Sequence, residues 1–95
     1  MRNYELPIIV DPTIEGDGVT AVIEKVSGFI GAVDGEVASV DLWGRQQLAY
    51  LINNHREGTY ALLNVNMPPA SVLELERNLK LTEEVIRYML VKVER

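Results

Sequence analysis

From Tyr4 to Val10, Tyr4, Leu6, Ile8 and Val10 alternate with Glu5 and Pro7, the two-residue period of a strand with one buried face. Pro7 has no N–H to donate, so the pattern implies a sheet edge or an unpaired N–H position there. Asp11-Pro12 ends the strand. Val19, Val22, Ile23, Val26, Ile30 and Val33 then recur at three and four, tracing one face of a helix. Asp17 is a candidate N-cap and Asp34-Gly35 a stop. Gly28 and Gly31 inside it fit either close packing on a sheet or simple tolerance of weak helix formers.

Glu36 to Ile52 is strand-like in two pieces, Val37 to Val40 and Leu48 to Ile52, with Trp43-Gly44 suggesting a bulge or bend between them. Asn53 to Gly58 carries turn residues, and Tyr60 to Met67 is the returning strand. Pro68-Pro69 breaks it. Ser71-Val72-Leu73-Glu74 fits a capping box, opening a helix whose apolar face is Val72, Leu75 and Leu79. Val85 to Val93 is a last strand. The order β-α-β-β-α-β, filling residues 1–95 as a single domain, predicts an α+β, ferredoxin-like split βαβ sandwich. A four-stranded antiparallel sheet would carry both helices on one face and leave the other for a partner.

An apolar fraction of 47% is that of a globular chain, and no apolar run approaches the ~20 residues that span a bilayer. With no cysteine there is no disulfide, thiolate metal site or Cys nucleophile. The opening residues lack the apolar centre of a signal peptide, so a cytoplasmic address is expected, with no membrane contact. The net charge of −5 argues against independent nucleic-acid binding, which needs Lys and Arg at phosphates. Its distribution qualifies that. Residues 1–44 hold two basic and eight acidic side chains, a net of −6, and residues 45–95 hold seven basic and six acidic, a net of +1.

Catalytic chemistry finds little support. His55 is the only histidine and reads as an exposed turn residue; one histidine builds no ordinary metal cluster. Glu83-Glu84 and Glu74/Glu76 read as solvated charge. No nucleophile elbow, dinucleotide loop or phosphate loop is present. No enzyme, metal, cofactor or small-molecule substrate is expected. RNA-recognition motifs share the element order but need rings where this chain has Leu62 and Val65, so its aromatics read mainly as packing residues. A regulatory small-molecule module of the ACT type is the runner-up, without an evident ligand loop. Acylphosphatase-like chemistry would need a basic anion loop where Asp11-Pro12-Thr13-Ile14-Glu15 stands.

One stretch is more specific. Gly44-Arg45-Gln46-Gln47-Leu48-Ala49-Tyr50-Leu51-Ile52-Asn53 resembles the signature of the bacterial small-subunit ribosomal protein six family (30S subunit). Met1-Arg2-Asn3-Tyr4-Glu5, Glu74 to Leu79 and Val85 to Met89 resemble that family's opening, second helix and last strand, in register along the whole chain. Gln46 departs from a usually basic position and Leu51 from a common proline. The chain stops at Arg95, where many members of that family extend further.

The resemblance implies a structural ribosomal protein that binds the central domain of 16S rRNA on the platform, as a heterodimer with the small basic ribosomal protein eighteen. It puts the chain on the ribosome. A basic partner would supply positive surface that a −5 chain lacks, its acidic first half or the acidic rim of its sheet facing that partner. The pool of expected RNA contacts is Arg2, Arg45, Arg56, Arg77, Lys80, Arg87 and Lys92. Arg77 and Lys80 fit equally a helix C-terminal dipole or a pair with Glu74. Arg87, in an apolar strand, is the residue whose charge most needs a partner.

Overall fold

The computed structural model describes residues 1–52 and 54–93. Five strands and two helices follow one another as β1 (Arg2–Val10), α1 (Asp17–Ala32), β2 (Glu36–Ile52), β3 (His55–Met67), α2 (Val72–Lys80), β4 (Val85–Tyr88) and β5 (Val91–Lys92), with one 3-10 turn at Pro69–Ser71. The sheet order is β2-β3-β1-β4, with β5 continuing along β1 beyond β4. Each pairing is antiparallel. This is the expected ferredoxin-like layout.

The alternation in β1 does what the period predicts. Tyr4, Leu6, Ile8 and Val10 join Ala61, Leu63, Val65 and Met67 of β3 in one core. Val22, Val26 and Ile30 of α1 and Leu75 and Leu79 of α2 cover it. The intervening Glu5, Pro7 and Ile9, with Tyr60, Leu62, Asn64 and Asn66 of β3, therefore form the face that no helix covers.

Several local expectations change. Pro7 is not at an edge: β1 is an interior strand, flanked by β3 on one side and by β4 and β5 on the other. Its carbonyl accepts the Met89 N–H at 3.0 Å, so its nitrogen points at the same side, where the chain passes from β4 to β5. The missing donor and the gap in the last strand coincide. The single strand expected over Val85 to Val93 is thus two short ones.

The first helix has no Asp17 cap. Gly16 is the N-cap, at φ 57°, and Asp17 is the first helical residue, a carboxylate in the first turn where the helix dipole favours it. Asp34 adopts φ 66° and the Gly35 N–H closes onto the Ile30 carbonyl at 2.9 Å, which is the expected stop. Beyond the helix's own backbone and the chain neighbours, no atom lies within 4 Å of where a Cβ would stand at Gly28 or Gly31, so neither serves close packing. The expected capping box at Ser71 does not form. Its hydroxyl instead donates to the Val33 carbonyl at 2.6 Å, tying the second helix to the end of the first.

β2 is continuous, not two pieces. The expected bulge is present, with Trp43 and Gly44 sharing a position opposite Tyr60 and Gly44 at φ 84°, a backbone that only glycine adopts without strain. β3 begins at His55, five residues before the expected Tyr60, because the turn is tighter than its polar composition suggests: Ile52 already pairs with His55. Asn54, at φ 66°, lies in that turn; Asn53 lies outside the described residues.

Candidate nucleic-acid interface

The seven basic candidates do not assemble on one face. Arg2 pairs with Met67, and Lys92 with Tyr4, so both side chains point toward the helix layer at the start of β1. Arg77 and Lys80 are exposed in the last turn of α2, where the helix dipole favours cations; no ion pair joins them to Glu74 among the described residues. Arg56 is exposed beside the hairpin turn. Arg87, opposite Ile9, lies on the uncovered sheet face, and Arg56 shares that side with Gly58 and Tyr60 by alternation along β3.

Arg45 is already engaged. Its Nη1 is 3.2 Å from Glu57 Oε2, and its Nη2 donates to the Pro12 carbonyl at 2.9 Å and lies 3.7 Å from Glu15 Oε1. The side chain thus stitches the base of the β2–β3 hairpin to the loop after β1. Beside it, His55 Nε2 is 3.6 Å from Asp11 Oδ2. That corrects the exposed-turn reading of His55, which is half-buried. The chain from Asp11 to Glu15, read from sequence only as acidic and unfit for phosphate, is the hairpin's docking point.

Asp11 has a second task. Its Oδ1 accepts the Thr13 N–H at 2.9 Å and the Thr13 hydroxyl at 2.7 Å. Those two hydrogen bonds, with the nearby His55, hold the carboxyl below its ordinary 3.8 despite partial burial. The folded carboxyl is therefore more acidic than the unfolded one. Its stabilisation is present above pH 3.8 and is lost as pH falls through the lower folded value. Asp11→Ala should cost about 1 kcal/mol at pH 7, by analogy with loss of a carboxylate cap. Urea melts at several pH values test this: the gap from the parent should close as pH falls below 3.8, and a pH-independent gap would rule out the carboxylate.

Aromatic side chains on the uncovered face were underestimated by the sequence. Trp43 stacks on Tyr60 with centroids 6.5 Å apart and planes 9° from parallel, and its Nε1–H donates to Asp41 Oδ2 at 3.0 Å. Trp43 is 52% exposed and Tyr50 62%. Tyr4 and Phe29 do pack as expected, in or against the core. Tyr88 points to the helix layer, where burial and the neighbouring Glu76 carboxylate raise its hydroxyl pKa. The Trp43–Tyr60 stack across adjacent strands was findable only with the bulge register, since the Trp43-Gly44 insertion puts Trp43 over Tyr60.

Acidic and amide side chains occupy the rest of this face. Asp41, opposite Leu62, and Glu36, opposite Asn66, lie there with Glu5; Ser39 accepts a 2.8 Å hydrogen bond from Asn64. The uncovered face thus has an apolar, aromatic end with Arg87 and, at the hairpin, Arg56, and a polar end carrying three carboxylates. No group of three His, Asp or Glu positioned to hold a metal occurs among the described residues. No helix among them is long and apolar enough to cross a membrane.

The class defined by this architecture is the ferredoxin-like sandwich with an open sheet face. Within it, similarity narrows sharply. The chain is 43% identical to the small ribosomal subunit protein bS6 of Clostridium novyi over all of both chains. It is 42% identical to that of Moorella thermoacetica, covering 99% of this chain and 96% of the other. The crystal structure of 30S ribosomal protein S6 from Thermotoga maritima superposes with a TM-score of 0.90 at 26% identity, covering 97% of this chain and 87% of that one. The C-terminal domain of the MgtC protein from Mycobacterium tuberculosis, with a TM-score of 0.64 and 16% identity, shares the fold alone. Residues 3–92 match the family described as ribosomal protein S6. The chain belongs to the ribosomal protein S6 family: it is a structural protein of the small ribosomal subunit and not an enzyme.

Proposed function

We propose that this single-domain protein binds the central domain of 16S rRNA on the platform of the small subunit, as a heterodimer with the small basic ribosomal protein eighteen. The observation that carries the partner is the dispersal of its cations. In a chain of net charge −5, the described basic candidates on the uncovered side are Arg56 at the hairpin and Arg87 on β4; the others are spread over the helix layer and hairpin base, and Arg45 is neutralised by its own carboxylates. Such a chain has little counterion-release free energy to offer RNA alone. A basic partner against the carboxylate end of the face would be drawn by complementary charge and would complete a positive composite surface. Contacts with duplex RNA are expected at backbone and shape, since its base edges lie in a deep groove.

The test is binding of central-domain rRNA with and without the partner across a salt series. Tight binding only with the partner is expected. Equal affinity without it would remove the composite surface from the proposal. Within that series, Arg87→Ala should flatten the logarithmic salt slope by about one unit if Arg87 meets one phosphate. Arg45→Ala should change the slope less, because its charge is already balanced within the hairpin base. The reverse ranking would show that Arg45 leaves its carboxylates on binding.

A further inference from the structure

The end of the β2–β3 hairpin does not stay in the plane of the sheet. Gln47 pairs with Glu57 and Ile52 with His55, so Leu48 to Leu51, four residues, face Arg56 alone. An insertion of this size bends the strand and re-aims its side chains. The direction of the bend is fixed by a long-range contact. Arg87 Nη1 donates to the Tyr50 hydroxyl at 2.5 Å, and the guanidinium lies 5.8 Å from the centre of the Tyr50 ring. Yet β2 and β4 are opposite edges of the sheet, with β3 and β1 between them. Tyr50 reaches Arg87 only by crossing over the uncovered face.

Beneath the crossing is a cleft of about 260 Å³ whose floor includes Pro7, Ile9 and Tyr60 and whose rim includes Tyr50, Arg87 and Met89. Both ends of the contact are exposed side chains, and no carboxylate pairs with Arg87 among the described residues. The ring and hydroxyl of Tyr50 are what its charge meets within those residues. Main-chain pairing to β3 is interrupted through Leu48 to Leu51, so the side-chain contact is the tether that remains between the hairpin end and the far edge.

We propose that Tyr50 and Arg87 form a latch that holds residues 48–51 as a strap closed over the apolar end of the sheet face. An exposed cation–ring contact of this kind favours the closed state by roughly two- to fivefold. The latch therefore biases the strap toward closure and is weak enough to open without unfolding the domain. Closed, it covers the floor around Ile9 and occupies the guanidinium of Arg87. Open, it releases both together. This device concerns the isolated chain and does not depend on which molecule the protein binds.

Backbone 15N relaxation on the full chain tests it, comparing the parent with Arg87→Ala, Tyr50→Ala and Tyr50→Phe. Order parameters across 48–51 should be higher in the parent than in each alanine variant, within the span between rigid backbone at ~0.85 and flexible backbone below ~0.6. Tyr50→Phe, which keeps the ring and loses the hydroxyl, should fall between. Values for Tyr60 to Met67 should stay unchanged in all four, showing that the sheet is folded. Equal order parameters across 48–51 in the parent and both alanine variants, whether high or low, would overturn the latch. So would a loss in Tyr50→Ala that Arg87→Ala does not share.

Discussion

Leu6→Ala is expected to destabilise the domain by ~2–5 kcal/mol, the range for emptying a leucine site in a packed core. Leu6 has no solvent exposure and lies on the interior strand, opposite Leu63, with both helices packed over the same core. No single neighbour can move in to fill the void without disturbing the others. Urea denaturation should show the midpoint falling with little change in slope, since the surface exposed on unfolding is nearly the same. A cost below ~1 kcal/mol would mean that the layers slide together, and that this core is less tightly specified than its burial suggests.

Gly58→Ala should cost ~1–3 kcal/mol, by overpacking where Leu6→Ala acts by a cavity. A Cβ at Gly58 would overlap Ile9 Cγ2, an atom fixed close to the β1 backbone and unable to swing clear like the tip of a long side chain. Relief would need β1 and β3 to separate at the point where the hairpin leaves the sheet. The mechanism has its own check in a double-mutant cycle. Ile9→Ala removes the obstructing methyl, so the pair of substitutions should cost less than the sum of the two. Strict additivity would place the strain elsewhere.

These two positions differ in how far the sequence announced them. Leu6 follows from alternation alone, as do Ile8, Val22, Val26, Ile30, Leu75 and Leu79, because burial of one face imposes a period. The bulge at Trp43-Gly44 was readable too, from a glycine in an otherwise strand-like run. Gly58 was read as a turn residue, when its need is close approach to a strand nearly fifty residues earlier. The same holds for the caps. Ser71 has capping chemistry, but a carbonyl at the end of the other helix competes for its hydroxyl. For Pro7 the sequence offered an edge or an unpaired N–H position; the second holds, and the break between β4 and β5 that accommodates it cannot be read from residues near Pro7.

The candidate interface divides in the same manner. Its basic residues could be named from the sequence, and the family from the stretch Gly44 to Asn53 with three further stretches in register. Which of them are free could not. Arg45 is spoken for by Glu15, Glu57 and the Pro12 carbonyl, two of them thirty or more residues distant along the chain. Arg87 meets Tyr50 only because a four-residue insertion carries the hairpin across the sheet. Pairings of that kind depend on register and strand order, which no local pattern encodes.

The strand order also sets a timetable. β1 is made first, yet its neighbours are β3 and the two strands that are made last. As the chain leaves the machine that synthesises it, the hairpin of β2 and β3 is the only adjacent pair of strands that can zip by local closure. The first strand must wait for most of the molecule to emerge. Its apolar side then has nothing to shield it except the incomplete helix layer. For a protein destined to be built into a ribosome, the ribosome's own pace of elongation thus governs when its sheet can first be completed.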